Sequence, residues 1–322
     1  MKKYLNSFII LLITVFLTVE VILNSSEVID SARFSFTIWK DNIFPTLFPF
    51  FVASNLLIKY GFVELIGEFC KPLMNKLFKF KGEGSFVLIL SMLSGFPSSA
   101  KYTKELYDNG LISGKEASKL LTFTHFPNPL FVIGTVATTF LNNKLIGFLV
   151  LISLYLSNII IGLIFRNYHS ENITNSKVSL KNAISGMKER YKKNKNFGSI
   201  LTSTLVDSIN LLLLILGTIS LFLIINKILT NIFGLSDFNR ALLSGILEMT
   251  GGLKYFSLLN IPLNIKAVFT TMILAFGGLS VHTQVYSIIA ETKIKYLPYL
   301  IARLMQVVIS EIIMYILLMF IQ

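Results

Sequence analysis

Four short runs in this chain set small, hydroxyl-bearing and proline residues inside otherwise apolar sequence, and their residue types suit a ligand site. The first is Ser94-Gly95-Phe96-Pro97-Ser98-Ser99, with Lys101 just beyond it; the second holds Thr124, Pro127 and Asn128. The third is Glu248, Thr250, Gly251 and Gly252, and the fourth is Gly277, Gly278, Ser280, Thr283 and Gln284. Pro97 lacks an N–H and has a φ close to helical values, so a helix can restart beside it. The N–H groups of Ser98 and Ser99 would then stand free at a helix N-terminus, which attracts anions, with Lys101 one turn in. A carboxylate ligand suits that arrangement. Asn128, set between two prolines, offers donors and an acceptor where helix cannot continue. Glu248 is a carboxylate in an apolar run, able to take up a proton or to hold a cation such as Na⁺. Paired glycines would let backbone approach a ligand closely.

Each run also has a plainer reading. A proline can simply kink a span, Lys101 can snorkel to a surface or pair with Glu105 four residues on, and glycines let helices pack. Asp207 and Glu311, inside other apolar runs, are equally coupling groups or structural hydrogen-bond partners. His125 and His282 border the breaks without convergent carboxylates or cysteines, so they read as bonded polar side chains rather than a metal site. The sequence holds no nucleophile with base and orienter, no phosphate loop and no HExxH, so neither catalysis nor a cofactor has positive support.

These runs must be positioned by membrane helices. The chain is 53% hydrophobic and only 14% charged, with a mean hydropathy of +0.70, which describes a polytopic membrane protein rather than a soluble domain. One cysteine, Cys70, excludes a disulfide framework. The net charge of +12 does not point to nucleic acid, because the Lys and Arg residues lie between apolar runs, where the positive-inside rule places cytoplasmic loops. An uncleaved first helix is expected over 5–23, followed by a mixed-charge loop with Glu27, Asp30, Arg33, Lys40 and Asp41. A second span carries Pro45 and Pro49, and an amphipathic helix bearing Lys71, Lys76, Lys79 and Lys81 follows. Ser113 with Glu116 reads as a capping box after Gly110. The polar segment 166–196 holds eight Lys or Arg against two Glu and is placed in the cytoplasm. There the Asn172-Ile173-Thr174 triplet would never meet a glycosylating enzyme.

The organisation expected is therefore an N-terminal helix and loop (1–33), a first repeat (34–165), a basic cytoplasmic linker (166–196) and a second repeat (197–322). In each repeat an apolar hairpin (85–107 and 241–259) is followed by an interrupted span (118–140 and 266–289). If each hairpin enters and leaves on one side, each repeat crosses three times. With the linker inside, the two repeats then run in opposite directions. Lys101-Tyr102 falls over Lys254-Tyr255 when the halves are aligned. The expected fold is all-α and polytopic, an inverted repeat with two re-entrant hairpins, broken helices and one extra N-terminal helix.

The runs FPFFVASNLLI, SGFPSSAK and TFTHFPNPLF resemble the YlbJ (SpoVV) family of sporulation integral membrane proteins, within the nucleoside-recognition or Gate-domain group. The resemblance covers residue 44 to the C-terminus and is strongest in SGFPSSAK. It implies an architecture similar to concentrative nucleoside transporters and carriage of dipicolinic acid, with or without calcium, across the outer forespore membrane. The alternatives left open are a nucleoside or other small-metabolite carrier and a non-transporting sporulation scaffold. Membrane lipid is the other implied partner, and a homo-oligomer is compatible with the same picture.

The parity argument predicts that segment 166–196 is cytoplasmic while the end of the last span lies on the other side. Reporter fusions placed within the linker and after Met319 should report opposite compartments; the same compartment would refute the inverted repeat.

Overall fold

An interrupted apolar helix needs surrounding helices to satisfy its break, and among the described residues every regular element is helical. The computed structural model describes residues 2–169, 178–192 and 196–321, with side chains from residue 7 onward. In chain order the helices are α1 (Lys2–Leu23), α2 (Ser25–Ile38), α3 (Phe44–Lys59), α4 (Phe62–Phe78), α5 (Gly84–Ser94), α6 (Ser98–Asp108), α7 (Gly114–Phe123), α8 (Lys144–Ile164), α9 (Leu180–Lys192), α10 (Phe197–Phe233), α11 (Asp237–Leu247), α12 (Met249–Leu258), α13 (Leu263–Phe276), α14 (Gly278–Ile289) and α15 (Leu297–Met319). Wider π-helical turns occupy Trp39–Ile43 and Phe131–Phe140. Among the described residues five stretches are long and apolar enough to cross a membrane: Ser25–Lys59, Lys144–Asn167, Phe197–Phe233, Leu263–Ile289 and Leu297–Met319. The Asn172-Ile173-Thr174 triplet lies outside the described residues.

The mixed-charge loop expected after α1 is instead helix. Residues 25–38 form α2, which runs through the π turn into α3, so the boundary placed at 33/34 falls inside a helix. The charges stay outside while one stripe is buried. Asp30 and Arg33 are exposed and paired, but Ser35 Oγ lies 2.7 Å from Ser220 Oγ and Trp39 Nε1 donates to Leu212 O at 2.8 Å, both on α10. Pro45 and Pro49 cannot donate to the preceding turn, and Thr46 Oγ1 bonds Asn42 O at 2.6 Å there. The capping box expected at the start of α7 is present: Ser113 and Glu116 bond one another's backbone N–H groups. The basic linker carries a helix of its own, α9, which packs on amphipathic α4 and ties to it through Arg190 and Glu64 at 3.3 Å.

Packing partners recur between the halves. α5 packs on α6, and α11 on α12; α3 meets α5, and α10 meets α11. Across the halves α6 meets α14 while α12 meets the π-helical segment 131–140, and α7 meets α15 while α13 meets α8. Within each half the hairpin's break also touches the break of the following span. A Cβ on Gly95 would lie 2.4 Å from Asn128 N, and one on Gly278 would lie 3.1 Å from Met249 N.

Gly95 and Gly251, the glycines that mark the breaks of the two hairpins, therefore differ in role. Gly95 has φ +78 and faces backbone, whereas the closest neighbour of a Gly251 Cβ is Leu223 Cδ2 at 2.9 Å, the end of a flexible side chain. Gly95→Ala should destabilise by about 2 kcal/mol or more, and Gly251→Ala by under about 1 kcal/mol. Thermal unfolding of the detergent-solubilised proteins checks this; equal losses would contradict the assignment.

Candidate functional site

The breaks converge on one central cavity of about 40 Å³, room for a few water molecules. Its polar wall comes from Thr46 on α3, Asn128 between α7 and the π-helical segment, Glu248 between α11 and α12, and Gln284 on α14. Phe96, from the α5–α6 break, adds an aromatic face. Both halves thus contribute to one small chamber.

Glu248 is 1% exposed and sits as the N-cap of α12 in an extended conformation. Its Oε2 accepts the Gly251 N–H at 2.9 Å and the Thr250 hydroxyl, so one carboxylate oxygen is spent on the orphan donors of a helix start. Its Oε1 is buried with no hydrogen-bond partner among the described residues. Asn128 ties two breaks together: Oδ1 accepts from Phe131 N–H at 3.0 Å, and Nδ2 donates to Ser94 O at 3.2 Å. Gln284 Nε2 donates to Thr218 Oγ1 on α10 at 2.8 Å.

Of the residues singled out in the sequence, Phe96, Asn128, Glu248 and Gln284 line the cavity. The others do not. Ser94 and Ser98 hydroxyls bond one another at 2.7 Å, and Ser98 also donates to Gly95 O. Ser99 Oγ and Ser280 Oγ are buried without partners among the described residues. Thr124 and Thr283 donate to Leu120 O and Leu279 O at 2.9 and 2.8 Å, one turn back. Pro127 O accepts from the Tyr155 hydroxyl at 3.4 Å. Gly252 packs against Gly245 across the hairpin, and Gly277 takes φ +85 at the α13–α14 break.

Lys101 departs from the expectation that it faces a ligand at the break. Its Nζ lies 5.4 Å from the Phe51 ring centroid, buried and without a hydrogen-bond partner among the described residues. Phe96 precedes α6 and points into the cavity, whereas rotation of 100° per residue carries Lys101 round to the α3 side. No ion pair joins Lys101 to Glu105 among the described residues; Glu105 Oε2 is likewise buried without a partner. His282 contacts the Tyr296 hydroxyl at 2.6 Å and Phe276 O at 3.0 Å, and His125 lies 3.3 Å from the Tyr299 hydroxyl and stacks on Phe96 with centroids 4.7 Å apart.

Behind this layer lies a residue that sequence reasoning passed over. Arg303 on α15 is 0% exposed. Its Nη2 donates to Thr122 O at 2.6 Å and to Asn158 Oδ1 at 3.1 Å, and its Nη1 donates to His125 O at 3.3 Å and to Gln306. Asn158 Nδ2 donates to the same His125 carbonyl at 2.6 Å. These carbonyls are the ones freed where α7 stops. The signal was visible: an arginine within a closing apolar span is as informative as the Glu311 that drew attention.

The comparisons with known proteins agree on a family. A family model described as nucleoside recognition (Gate) matches residues 42–168. The sporulation integral membrane protein YlbJ of Bacillus subtilis (strain 168) is 34% identical over 327 aligned positions, covering 94% of this chain and 80% of that protein. No solved structure matches the chain.

Removing the guanidinium leaves buried carbonyls unpaired, a loss of about 3–5 kcal/mol. Arg303→Met should therefore lower the unfolding temperature of the purified protein sharply, and Arg303→Lys should recover only part of it, because one ammonium cannot span the separated acceptors. A stable Arg303→Met protein would mean that the break satisfies itself.

Proposed function

The chain belongs to the family of the sporulation integral membrane protein YlbJ, and from that premise we propose that it is a carrier rather than an enzyme, moving a small organic anion through the membrane. The observation that carries the reading is the convergence of four helix breaks, two from each half, on one cavity. A helix break in lipid is tolerated where it lines a cavity, and paired breaks in two halves are the mark of a carrier site. A scaffold has no use for them. The reciprocal packing of α6 with α14 and α12 with 131–140 supports two repeats, 34–165 and 197–322, the former extended back into α2. Crossing parity supports opposite directions, with α5–α6 and α11–α12 as re-entrant hairpins.

The substrate we propose is dipicolinate, carried across the outer forespore membrane during sporulation. Phe96 offers a face for a flat ring, and Asn128 and Gln284 offer amide groups to its edge. Glu248 admits a carboxylate only while it carries a proton, which its unpartnered Oε1 would donate. The cavity is smaller than such a ligand, so loading requires the hairpins to move. A nucleoside is the second reading, favoured by the absence of any lysine or arginine from the cavity wall among the described residues.

Vesicles bearing the purified protein should accumulate radiolabelled dipicolinate. Val281→Phe, which fills the cavity, should cut uptake at least about tenfold without reducing the amount of protein in the membrane. Uridine uptake instead of dipicolinate uptake would move the protein to the second reading.

A further inference from the structure

A second cavity, of about 290 Å³, opens between α2, α10 and α12. It is several times larger than the central one and close in size to small-molecule sites. Its charged lining is Glu27, Asp30, Lys227 and Lys254. Three of these four are already paired. Glu27 takes Lys227 at 3.5 Å and Asn231 as well, and Asp30 takes Arg33 at 3.7 Å. Lys254 Nζ stands 3.9 Å from the Phe34 ring centroid, with neither a hydrogen bond nor an ion pair among the described residues. An ammonium held over a ring and left without an anion is open to a carboxylate.

The place of this cavity gives the lysine a use. Gly251 borders it, and Glu248, one turn earlier at the start of α12, borders the central cavity; Leu223 and Ile219 are divided in the same way along α10. The two chambers are thus one helical turn apart, with the Leu223–Gly251 contact between them. Lys101 occupies the matching position of the other hairpin, over Phe51, but its Nζ is buried.

We infer that the α2–α10–α12 cavity is a carboxylate-binding vestibule in which Lys254 holds a small organic anion one step from the central cavity. Lys101 is its counterpart on the opposite approach, closed in this conformation. This inference rests on the carrier reading, and on the crossing parity that places the vestibule on the non-cytoplasmic side. It assigns selection for negative charge to the two approaches, and leaves ring and amide recognition to the centre.

The test uses accessibility as well as transport. With Cys70→Ser as background, Ser31→Cys places a thiol in the vestibule wall. A membrane-impermeant thiol reagent added from the non-cytoplasmic side should modify it, and dipicolinate should protect it. Lys254→Gln should raise the half-protecting concentration about three- to tenfold, the size of a partly screened ion pair. Lys254→Arg should restore it, and Lys101→Gln should leave it unchanged. Protection indifferent to Lys254, no protection, or a thiol that never reacts from that side would each overturn the inference. If protection behaves as stated while vesicles with the wild-type protein move no dipicolinate, the vestibule stands and the carrier reading falls.

Discussion

A helix that stops inside an apolar surrounding must find partners for the carbonyls it frees, and here the buried guanidinium of Arg303 supplies them. It binds Thr122 O and His125 O at the end of α7 and Asn158 on α8, while Gln306 continues the bonding to Leu154 O at 3.2 Å. No carboxylate accompanies this charge among the described residues. Its compensation comes from carbonyl dipoles at a helix C-terminus, where a cation is favoured. Because Arg303 belongs to α15 and its acceptors to α7 and α8, the satisfaction of the break and the joint between the halves are one interaction.

The second half solves the same problem with different chemistry. Glu248 caps α12 with one oxygen, and Gly277 and Gly278 take positive φ where α13 gives way to α14. The contact between breaks is kept, but the small residue has changed sides. In the first half the glycine is in the hairpin and meets Asn128; in the second it is in the span and meets Glu248. The centre is thereby lined by amides, a hydroxyl, two aromatic rings and one carboxylate, while both hairpin lysines are carried outward over aromatic rings.

The linker joins this arrangement from one side. Helix α9 lies on α4, with Tyr60 and Tyr191 stacked at 5.8 Å and Met187 backbone against Gly61. A segment that composition marks only as polar and basic is thus a bracing element, its Gly186 and Met187 lying against Glu64 and Gly61 of the α4 region while Ala183 is buried.

Read alone, the sequence determined the all-helical, membrane-spanning class, and it gave as expectations the positions of the breaks and the alignment of the two Lys-Tyr pairs. Those follow from local rules: apolar run length, proline without an N–H, and glycine free of a Cβ. It also placed Phe96, Asn128, Glu248 and Gln284 among the candidates. It did not separate them from Ser94, Thr124 or Thr283, because a hydroxyl in a helix can bond its own preceding turn, and only the fold shows which one does. Residues 24–41 read as a loop from their charges, yet the packing of Ser35 and Trp39 against α10 makes them helix. Lys101 read as a ligand at the break, yet the rotation of α6 turns it toward Phe51. The pairing of Arg303 with carbonyls about 180 residues away was decided by the tertiary structure alone, since a freed carbonyl leaves no mark in the sequence for the donor that will meet it.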